Sequence, residues 1–367
     1  MKINGQHHHT IWVNESDPEL IQVFDQRFFP HRIEVFDIRN TDEAAFVIKD
    51  MVVRGAPLIG VTAVYGMYLG CLEAQQKADG EAYLEAVATK LNATRPTAVN
   101  LAWAVNEMRQ AIAKADGWEA KVKVAFERAH EIKQEDIDIC ENIGKHGLEL
   151  IKEITAKKEG IVNILTHCNA GWLATIDWGT ALSPVYHAQQ AGIDVHVWVD
   201  ETRPRNQGAN LTAFELLQQG VPHTLINDNT GGHLMQHGMV DLVIVGTDRT
   251  ARNGDVANKI GTYLKALAAH DNGVPFYVGL PSSTLDVSIA NGVQDIPIET
   301  RSEKEVKYMQ GLVDGEVKSV LICLEETPAL NYGFDVPPAN YVTGLITERG
   351  VGEASEQGIR GLFPEKF

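Results

Sequence analysis

The chain has 367 residues, 44% of which are apolar, and its formal net charge is −17. That length and apolar content allow a large hydrophobic core and favour two domains of unequal size. The negative charge would repel a nucleic-acid backbone, which argues against a nucleic-acid partner and favours small phosphorylated metabolites bound in a local basic pocket. Four cysteines lie far apart, without the density of a disulfide framework, and this usage is typical of a reducing cytoplasm.

Near the N-terminus, His7, His8 and His9 are the first residues that suggest a metal ion. Adjacent side chains of an extended segment point to opposite sides, and no carboxylate cluster in the sequence completes a coordination shell, so no metal site is predicted. The same region lacks the basic stretch and apolar core of a signal peptide. The most apolar run, residues 58–72, is short and interrupted by glycines, and no membrane span is predicted.

The N-terminal region is predicted to be mostly helical. After short strand-like pieces, a helix is predicted to begin near Thr41, where a hydroxyl and two acids favour a helix start. Residues 78–110 are predicted to be helical apart from 94–100, and residues 114–158 form a charged helical pattern with an apolar stripe. The domain boundary is predicted within or just after this last helix, which gives an N-terminal domain at 1–145 and a C-terminal domain at 146–367.

Two segments of this region place an arginine shortly before a proline. Pro57 fits the first turn of a helix, so the backbone N–H groups of Gly55 and Ala56 would lie at its positive end. Arg54 beside them could bind a phosphate in a bidentate manner. Arg95 repeats this pattern before the next proline. From the residues alone, the first segment is either an anion site or an ordinary helix start, and Arg95 is more typical of a surface charge.

Residues 161–182 are predicted to form a strand, a tight turn and a helix, with Cys168 at the carboxyl end of the strand. Further strands are predicted at 194–199, 223–226, 241–245, 275–280 and 318–324, with room for crossover helices between them. This alternation is typical of a Rossmann-like, doubly wound and mostly parallel sheet, so the fold class is α/β with a smaller helical N-terminal domain. The glycine-rich dinucleotide fingerprint is missing, which argues against a nicotinamide cofactor.

Several polar residues follow the predicted strands. Ligands of open α/β sheets bind outside the carboxyl ends of the strands, which makes Cys168 a candidate reactive group, although a single cysteine is more often a buried apolar residue. Gln207 could hydrogen-bond a sugar hydroxyl or a phosphate, and Asp248 lies at the same sheet edge as the cysteine. Asn258 and Lys259 are predicted to begin a helix. Each cluster alone is weak, but together they predict an acid/base site for a phosphorylated substrate.

Short motifs along the chain resemble the family of methylthioribose-1-phosphate isomerases, which also includes the α, β and δ regulatory subunits of translation initiation factor 2B and archaeal ribose-1,5-bisphosphate isomerases. The resemblance extends from about residue 11 to residues 344–350. The motifs are Arg-Gly-Ala-Pro at 54–57, Arg-Pro-Thr-Ala-Val-Asn at 95–100, Thr-His-Cys-Asn-Ala-Gly at 166–171, Glu-Thr-Arg-Pro at 201–204, Asn-Gly-Asp at 253–255 and Asn-Lys-Ile-Gly-Thr-Tyr at 258–263.

This resemblance implies an activity and a set of site residues. It implies an aldose–ketose isomerase of methionine salvage that converts 5-methylthioribose 1-phosphate to 5-methylthioribulose 1-phosphate. Asp248 would be the proton donor and Cys168 the catalytic thiol. The substrate would be held by the remaining matched positions, which are Arg54, Gly55, Ala56, Arg95, Gln207, Asn258 and Lys259. By analogy with the family, we also expect a homodimer built largely on the C-terminal domain.

The sequence departs from the commoner family pattern in three places. It has Gly-Thr-Asp-Arg-Thr at 246–250 and Asn-Tyr-Gly-Phe-Asp at 331–335, and Trp172 and Trp178 enlarge the segment after the cysteine. Bulkier walls could favour 5-deoxyribose 1-phosphate over the methylthio sugar. Ribose 1,5-bisphosphate would require a second basic cluster to bind its second phosphate. The sequence shows no additional cluster of this kind, although Arg203, Arg205 and Arg249 have not been assigned another role. A sugar-phosphate- or nucleotide-sensing subunit without chemistry is the alternative from another class.

The expected chemistry explains why an acid and a thiol are both needed. In an aldose 1-phosphate the anomeric oxygen is esterified, so a donor must protonate the ring oxygen before the ring can open. Asp248, kept protonated by dry surroundings, would donate that proton. Cys168 would then either remove the C2 proton as a thiolate or stabilise charge during a direct hydride shift, and the sequence leaves both open. Neither path needs a Lewis acid, so no metal and no cofactor are expected.

Overall fold

The N-terminal region combines short strands with a cluster of helices. The computed structural model describes residues 1–95 and 99–367. Helix α1 begins at the predicted Thr41, because the Asn40 side chain caps it by accepting from the Glu43 N–H. Strands β1 to β5 are Lys2–Ile3, Gln6–His7, Ile11–Asn14, Asp17–Phe24 and Val35–Ile38, and helices α1 to α5 are Thr41–Lys49, Ala56–Ala74, Gly80–Thr94, Val99–Ile112 and Trp118–Thr155.

These helices confirm the helical pattern predicted from the sequence. The run predicted at 78–110 appears as α3 and α4, and the charged run at 114–158 appears as α5. Part of the motif at 95–100 lies outside the described residues, since these omit 96–98.

Helix α2 is the centre of the N-terminal core. It contacts α1, α3, α4 and α5, and nearly all of its side chains are buried. Each large aliphatic side chain buried in this way contributes roughly 1.5–3 kcal/mol. The run at 58–72 lies within this helix, whose 19 residues are long and apolar enough by composition to cross a membrane. Since 89% of the apolar segment of α2 is buried inside the protein, α2 is the core helix of a folded domain.

The C-terminal region alternates strands and helices. Strands β6 to β9 are Val162–Thr166, Val195–Asp200, His223–Ile226 and Leu242–Val245, and helices α6 to α8 between them are Ser183–Gln190, Ala213–Gln219 and Thr230–Gln236. The elements that follow are β10 at Arg249–Ala251, β11 at Val256–Lys259, α9 at Thr262–Asp271, β12 at Phe276–Gly279, β13 at Leu285–Asp286, α10 at Gly292–Asp295, α11 at Lys304–Lys307, β14 at Tyr308–Val313, β15 at Glu316–Leu321, β16 at Phe334–Asp335, β17 at Gly344–Thr347, β18 at Gly350–Gly352 and α12 at Glu356–Leu362.

A seven-stranded sheet organises this region, with the strand order β18-β17-β12-β9-β6-β7-β8. Neighbouring strands are parallel except for β17 and β18. From β6 the chain proceeds through β7 and β8 on one side of the sheet, and it then returns to β9 on the other side. The connections therefore reverse direction between β6 and β9, which leaves a crevice at the carboxyl ends of these two strands. The predicted Rossmann-like, mostly parallel sheet is confirmed.

Three local predictions are wrong. The strand predicted at 318–324 overlaps β15, which pairs antiparallel with β14 in a separate hairpin, and β17 takes the sixth parallel position in the sheet. A helix does not directly follow the turn at Cys168, because only a 3₁₀ turn forms at Trp172–Ala174 before α6. Asn258 and Lys259 lie in β11 rather than in a first helical turn. Strands β10, β11, β13 and β16 form a small sheet of their own.

Helix α5 connects the two parts of the chain. Ala125 and Ile132 in its first half pack into the hydrophobic cluster around α2. Ile143 and Ile151 in its second half pack into the cluster that also contains residues of β6, β7 and β9. The predicted domain boundary between residues 145 and 146 falls inside this helix and stays a prediction.

Glycines let α5 and α6 approach closely, which can be tested by stability measurements. We expect Gly147→Ala to lower the free energy of unfolding by about 1–3 kcal/mol, because a Cβ at this position would overlap the ring of Pro184 in α6. The matched control is Gly361→Ala in α12, where a Cβ would meet no atom within 4 Å. That control should be neutral or stabilising, since alanine favours a helix. Urea unfolding measures both, and equal midpoints would contradict this packing.

Candidate active site

A cavity opens at the carboxyl edge of the sheet, where β6 and β9 meet the start of α2 and strand β11. All nine site residues predicted from the sequence line it, although they come from distant parts of the chain. They are Arg54, Gly55, Ala56, Arg95, Cys168, Gln207, Asp248, Asn258 and Lys259. The fold therefore brings the predicted set together, and the roles of its members are taken up below as proposals.

Cys168 lies just beyond β6 in a left-handed backbone conformation, with φ 68°. A residue other than glycine costs on the order of 1 kcal/mol in this region, so surrounding contacts must hold it there. Its N–H donates to Thr202 Oγ1 at 2.8 Å, and its carbonyl oxygen accepts from Thr212 Oγ1 at 2.7 Å. The thiol donates to Gln207 Oε1 at 3.2 Å. These hydrogen bonds fix the sulfur at the cavity wall.

The two acidic groups of the cavity are both more difficult to ionise than usual. Burial raises the pKa of the Cys168 thiol, and the positive charges of Arg54 and Lys259 oppose this effect. Burial also raises the pKa of Asp248, against the opposing charges of Lys259, Arg54 and Arg95. Asp248 is tied to β11 through its N–H, which donates to the Ala257 carbonyl oxygen at 2.9 Å. The cavity thus holds a protonated carboxyl group to a higher pH than an exposed aspartate would.

Cationic side chains face the same space. Arg54 donates to Asn169 Oδ1 and, at 2.7 Å, to the Asn169 carbonyl oxygen. Lys259 Nζ donates to the Gly333 carbonyl oxygen at 3.1 Å and lies 4.6 Å from the centroid of the Phe334 ring. Burial lowers the pKa of both cations, and the nearby Cys168 partly restores it in each case. A bound anion would therefore stabilise the charged form of both side chains.

Arg95 differs from these cations because its guanidinium group is buried with few partners. Nε and Nη1 have no hydrogen-bond partner within residues 1–95 and 99–367, and Nη2 lies 3.7 Å from Glu299 Oε2. Leaving a buried donor unpaired costs about 1–3 kcal/mol. A ligand with several acceptor oxygens would remove that cost, and a phosphate matches the planar fork of a guanidinium group.

The first turn of α2 forms the adjoining wall. Gly55 precedes it with φ 93°, and a Cβ at this position would overlap Ala174, so both the backbone and the space require glycine. Among the described residues no side chain caps this helix, and its first N–H groups remain available to an anion. This geometry favours the anion-site interpretation of residues 54–56 over an ordinary helix start.

Another part of the wall is apolar, and sequence reasoning missed it. Its residues come from α2, from β16 and from separate loops, so no local pattern groups them. They are Met51, Ile59, Pro281, Ile296, Pro297, Ile298 and Phe334. Ile59 and Phe334 lie in segments named in the sequence analysis, which are the apolar run at 58–72 and the departure at 331–335.

The two tryptophans that were expected to narrow the substrate pocket do not belong to the described residues that line the cavity. Trp172 is fully buried beside Phe24, and the Trp178 ring packs against His187. The expectation that their bulk would favour a smaller sugar is therefore wrong. Their large rings pack against neighbouring side chains of the core rather than at the cavity wall.

A buried polar network lies next to Cys168 and was also missed. His167 Nδ1 is 2.9 Å from Asp200 Oδ2, and Nε2 is 2.8 Å from the Ile260 carbonyl oxygen. Both partners are acceptors, so the arrangement requires a proton on each ring nitrogen. Lys265 Nζ lies 3.1 Å from the same oxygen of Asp200. His167, Asp200 and Asp228 have the spacing of metal ligands, but the ammonium group of Lys265 already neutralises this cluster.

Glu215 in α7 organises the loop that follows Cys168. Its carboxylate accepts from Asn169 Nδ2 at 2.9 Å and from the N–H groups of Trp172 and Leu173 at 2.9 and 2.8 Å. The Tyr186 hydroxyl donates to it at 2.9 Å. The only sequence signal was a glutamate in an otherwise apolar helical segment, which is not specific enough to predict this role.

Fold and site together define a Rossmann-like α/β protein with an acid and a thiol at the switch point of the sheet and cations suited to a phosphate. The chain belongs to the Initiation factor 2 subunit family, whose sequence model matches residues 52–354. Over the full length of both chains it is 56% identical to a protein of Desulfatibacillum aliphaticivorans named methylthioribose-1-phosphate isomerase. The family resemblance predicted from the motifs is confirmed.

Two solved structures are similar over almost the whole chain. One is 5-methylthioribose 1-phosphate isomerase from Pyrococcus horikoshii, with a TM-score of 0.83 and 36% identity, covering 98% of this chain and 97% of that one. The other is the delta subunit of translation initiation factor 2B from A. fulgidus, with a TM-score of 0.79 and 36% identity, covering 98% and 100%. The same fold therefore occurs both in a protein named as an isomerase and in a protein named as a subunit of a translation initiation factor.

The different surroundings of the cysteines predict an order of alkylation. We expect iodoacetamide to modify the partly exposed Cys323 first, the cavity-lining Cys168 slowly, and the buried Cys71 and Cys140 last. Burial raises the pKa of Cys71 to about 12 and that of Cys168 in the same direction. Because the thiolate is the reactive form, the rate at Cys168 should still be rising about tenfold per pH unit near pH 8. Peptide mass spectrometry measures it, and a rate independent of pH between about 6 and 8 would contradict a raised pKa.

Proposed function

We propose that this protein is an aldose–ketose isomerase that converts 5-methylthioribose 1-phosphate to 5-methylthioribulose 1-phosphate in methionine salvage. The observation that carries the proposal is the shared cavity, in which Cys168 and Asp248 line the switch point beside cations suited to a phosphate. A relative that is 56% identical over its full length carries the same activity in its name. A sugar phosphate accounts both for the acid–thiol pair and for the Nε and Nη1 groups of Arg95, which have no hydrogen-bond partner among the described residues.

In this proposal the phosphate binds between the start of α2 and the cationic side chains. Arg54, Arg95 and Lys259 supply the positive charge, and the N–H groups at Gly55 and Ala56 supply neutral donors. Support comes from the buried guanidinium of Arg95, whose Nε and Nη1 lack acceptors among the described residues and would gain them from a bound anion. The phosphate then fixes C1 and C2 of the sugar relative to the reacting groups.

The sugar hydroxyls are assigned to two amide side chains. Gln207 accepts from the Cys168 thiol through Oε1, so its amide nitrogen can donate to a hydroxyl. Asn258 donates to Thr262 Oγ1 at 3.0 Å, which leaves its carbonyl oxygen as an acceptor for a second hydroxyl. These amides would orient C1 and C2 without adding charge to the cavity.

The apolar wall supports a sugar whose C5 carries an apolar group. Met51, Ile298 and Phe334 belong to this wall, and a methylthio group would be transferred there from water at a gain of about 1–3 kcal/mol. A second phosphate at C5 finds less support. Arg203 donates to the Val306 carbonyl oxygen at 2.8 Å, and Arg205 donates to Glu305 at 3.0 Å, so both are engaged elsewhere.

The proposed reaction begins with protonation of the ring oxygen. Asp248 is the proposed donor, because burial raises its pKa and so favours the protonated form. The C1–ring oxygen bond breaks as that oxygen takes the proton, and C1 becomes cationic. Hydrogen must then move from C2 to C1, the C2 hydroxyl loses its proton, and the ketose 1-phosphate is formed.

Two routes for this hydrogen remain open. In the first, Cys168 as a thiolate removes the C2 proton and a phosphoenol forms, which is later protonated at C1. In the second, hydride passes directly from C2 to C1 while Cys168 stabilises the developing charge. Arg54 and Lys259 both favour the thiolate, whereas burial favours the thiol. Deuterium from solvent at C1 of the ketose would identify the first route.

A regulatory subunit without chemistry is the second candidate, because the A. fulgidus relative with 36% identity is named as a subunit of a translation initiation factor. The feature that separates the two is the pair of Cys168 and Asp248. A binding subunit would need the cations but would gain nothing from an acid whose pKa is raised or from a thiol held in a left-handed turn. These features favour the enzyme.

We further propose that the protein acts in the cytoplasm as a homodimer formed by the C-terminal domain. Its four cysteines are free, as suits a reducing compartment. The hairpin of β14 and β15 and the segment after it expose large apolar side chains that a second copy could cover, and these are Leu312, Val313, Val320, Leu321, Ile322 and Leu324.

Side-by-side assays of three sugars test the proposed function. We expect kcat/KM to be highest for 5-methylthioribose 1-phosphate and about 10-fold or more lower for 5-deoxyribose 1-phosphate, which lacks the group that fills the apolar wall. Ribose 1,5-bisphosphate should be the poorest of the three, because its second phosphate would meet that wall. Ketose formation followed by chromatography gives the rates. Failure to turn over any of them would favour the regulatory subunit, and a preference for the bisphosphate would remove the apolar-wall argument.

The role of Asp248 is tested by Asp248→Asn, which keeps the shape of the side chain but removes the acid. We expect kcat to fall by about 10²–10⁴-fold, while the dissociation constant of the ketose product changes only a few-fold. In the wild type, kcat should fall as pH rises through the raised pKa of this carboxyl, since only the protonated form can donate. The exposed Asp271→Asn serves as the control and should be unaffected. Full activity in Asp248→Asn would exclude this residue as the proton donor.

A further inference from the structure

A second group of chemically active side chains lies outside the cavity, where the N-terminal segment meets the loop after Cys168. His7, His9 and Asp177 each direct one ligand atom to a common point, and these atoms all lie within 4.8 Å of one another. The sequence argument against a metal site rested on the absence of a carboxylate close to the three histidines. In the fold, Asp177 supplies that carboxylate from a distant part of the chain.

Side chains alternate in direction along the extended N-terminal segment, so only two of the three histidines can face Asp177. Residues two positions apart point to the same side, so His7 and His9 share a face. Their rings are in edge-to-face contact with centroids 5.0 Å apart. His8 points to the other side and packs against Phe24, with ring centroids 5.6 Å apart. The run of histidines is therefore not a simple linear chelator, because only its outer members face the carboxylate.

The distances fit a tetrahedral metal ion. His7 Nε2 lies 2.8 Å and His9 Nε2 lies 3.7 Å from Asp177 Oδ2. Ligand atoms bound to Zn²⁺ at about 2.0–2.1 Å are separated by about 3.3 Å in a tetrahedron, which lies between these two values. The ligand atoms of His7 and His9 also lie within 4.8 Å of each other, so rotations of the two imidazole rings would bring the three atoms to ligating positions. The exposed side of His7 leaves the fourth position open to water.

The carboxylate is held ready for this role. Asp177 is almost fully buried, and its Oδ1 accepts from the Trp178 N–H at 2.9 Å and from the amino group of Met1. Its Oδ2 is left to face the histidines. Hydrogen bonds to the second oxygen of a ligating carboxylate fix its orientation and strengthen a metal site.

We propose that His7, His9 and Asp177 form a binding site for one divalent transition-metal ion of the Zn²⁺ class, with water as the fourth ligand. Two imidazoles and one carboxylate suit Zn²⁺, Co²⁺ and Ni²⁺ better than Mg²⁺ or Ca²⁺, which prefer oxygen ligands. Thr10, next to the site, donates through its N–H to the Ile176 carbonyl oxygen at 3.3 Å and through Oγ1 to that of Thr175 at 2.5 Å. The ion would fasten the N-terminal segment to the loop whose Thr175 lines the cavity.

The test uses untagged full-length protein that has been stripped with a chelator and titrated with Co²⁺. We expect one equivalent to produce the visible absorption of tetrahedral Co²⁺, and Zn²⁺ to displace it. Saturating Zn²⁺ should raise the apparent Tm by about 5 °C or more. Cys168→Ser should bind Co²⁺ like the wild type, which separates this site from a thiolate in the cavity.

Matched histidine variants decide between a folded site and simple chelation by neighbouring histidines. His9→Asn should weaken Co²⁺ binding by more than about 10-fold, and Asp177→Asn should do the same while keeping the hydrogen bonds of Oδ1. His8→Asn is the control and should bind like the wild type. The proposal is overturned if the wild type binds no Co²⁺ at micromolar concentration, if His8→Asn is as damaging as His9→Asn, or if Asp177→Asn has no effect. Because His9 is partly exposed, its variant tests the site even if Asp177→Asn folds poorly.

Discussion

The carboxylate of Glu215 is the contact on which the arrangement of the active-site loop depends. Four donors converge on it, three of them from the loop that follows Cys168. One of these, Asn169, also receives both hydrogen bonds of Arg54, so a single buried acid positions a guanidinium group as well as the segment beside the thiol. A Cβ at Gly171 would overlap Glu215, which explains the glycine in this motif. A buried carboxylate is stable only when its acceptors are satisfied, and here the loop itself provides the donors.

The charges of the cavity depend on one another in a similar way. Burial raises the pKa of Asp248 and Cys168 and lowers that of Arg54 and Lys259, whereas the opposite charges of these groups favour each other's ionised forms. In the proposed function, a bound phosphate would offset the cations that now lower the pKa of Asp248. The carboxyl group would then hold its proton more strongly in the complex than in the free enzyme. Substrate binding and preparation of the acid would thus be the same event.

Much of the sheet could be inferred from the sequence, as could the position of the nine predicted residues at one edge of it, for a physical reason. Buried parallel strands such as β6 and β9 are continuous apolar runs, and in such folds the residues after them meet at one edge. The wrong predictions fall on segments whose secondary structure is determined by contacts with other parts of the chain. The sequence around Asn258 resembles a helix start, but this residue belongs to strand β11, which pairs with β10 and β16. Residues 318–324 have strand-like composition, but their partner is the adjacent β14 rather than the sheet.

The apolar wall and Glu215 were missed for the same reason. Each wall residue is an ordinary apolar side chain, and its position at the cavity is set by loops that are far apart in sequence. Motif resemblance supplied the charged and polar residues of the cavity, since those occur in short strings. It could not supply the residues of the apolar wall, which contribute to the shape of the cavity rather than to its charge.

The length of α5 has a mechanical consequence. Its 38 residues span roughly 57 Å and contribute buried side chains to the cores of both parts of the chain. Neither core can come apart without removing packing partners from the other, so the two parts should melt cooperatively rather than one after the other. A rigid rod through both cores also leaves little freedom for a hinge between them. A continuous helix shared by both cores therefore favours ligand entry through movements of individual loops and side chains over the slower opening of whole domains.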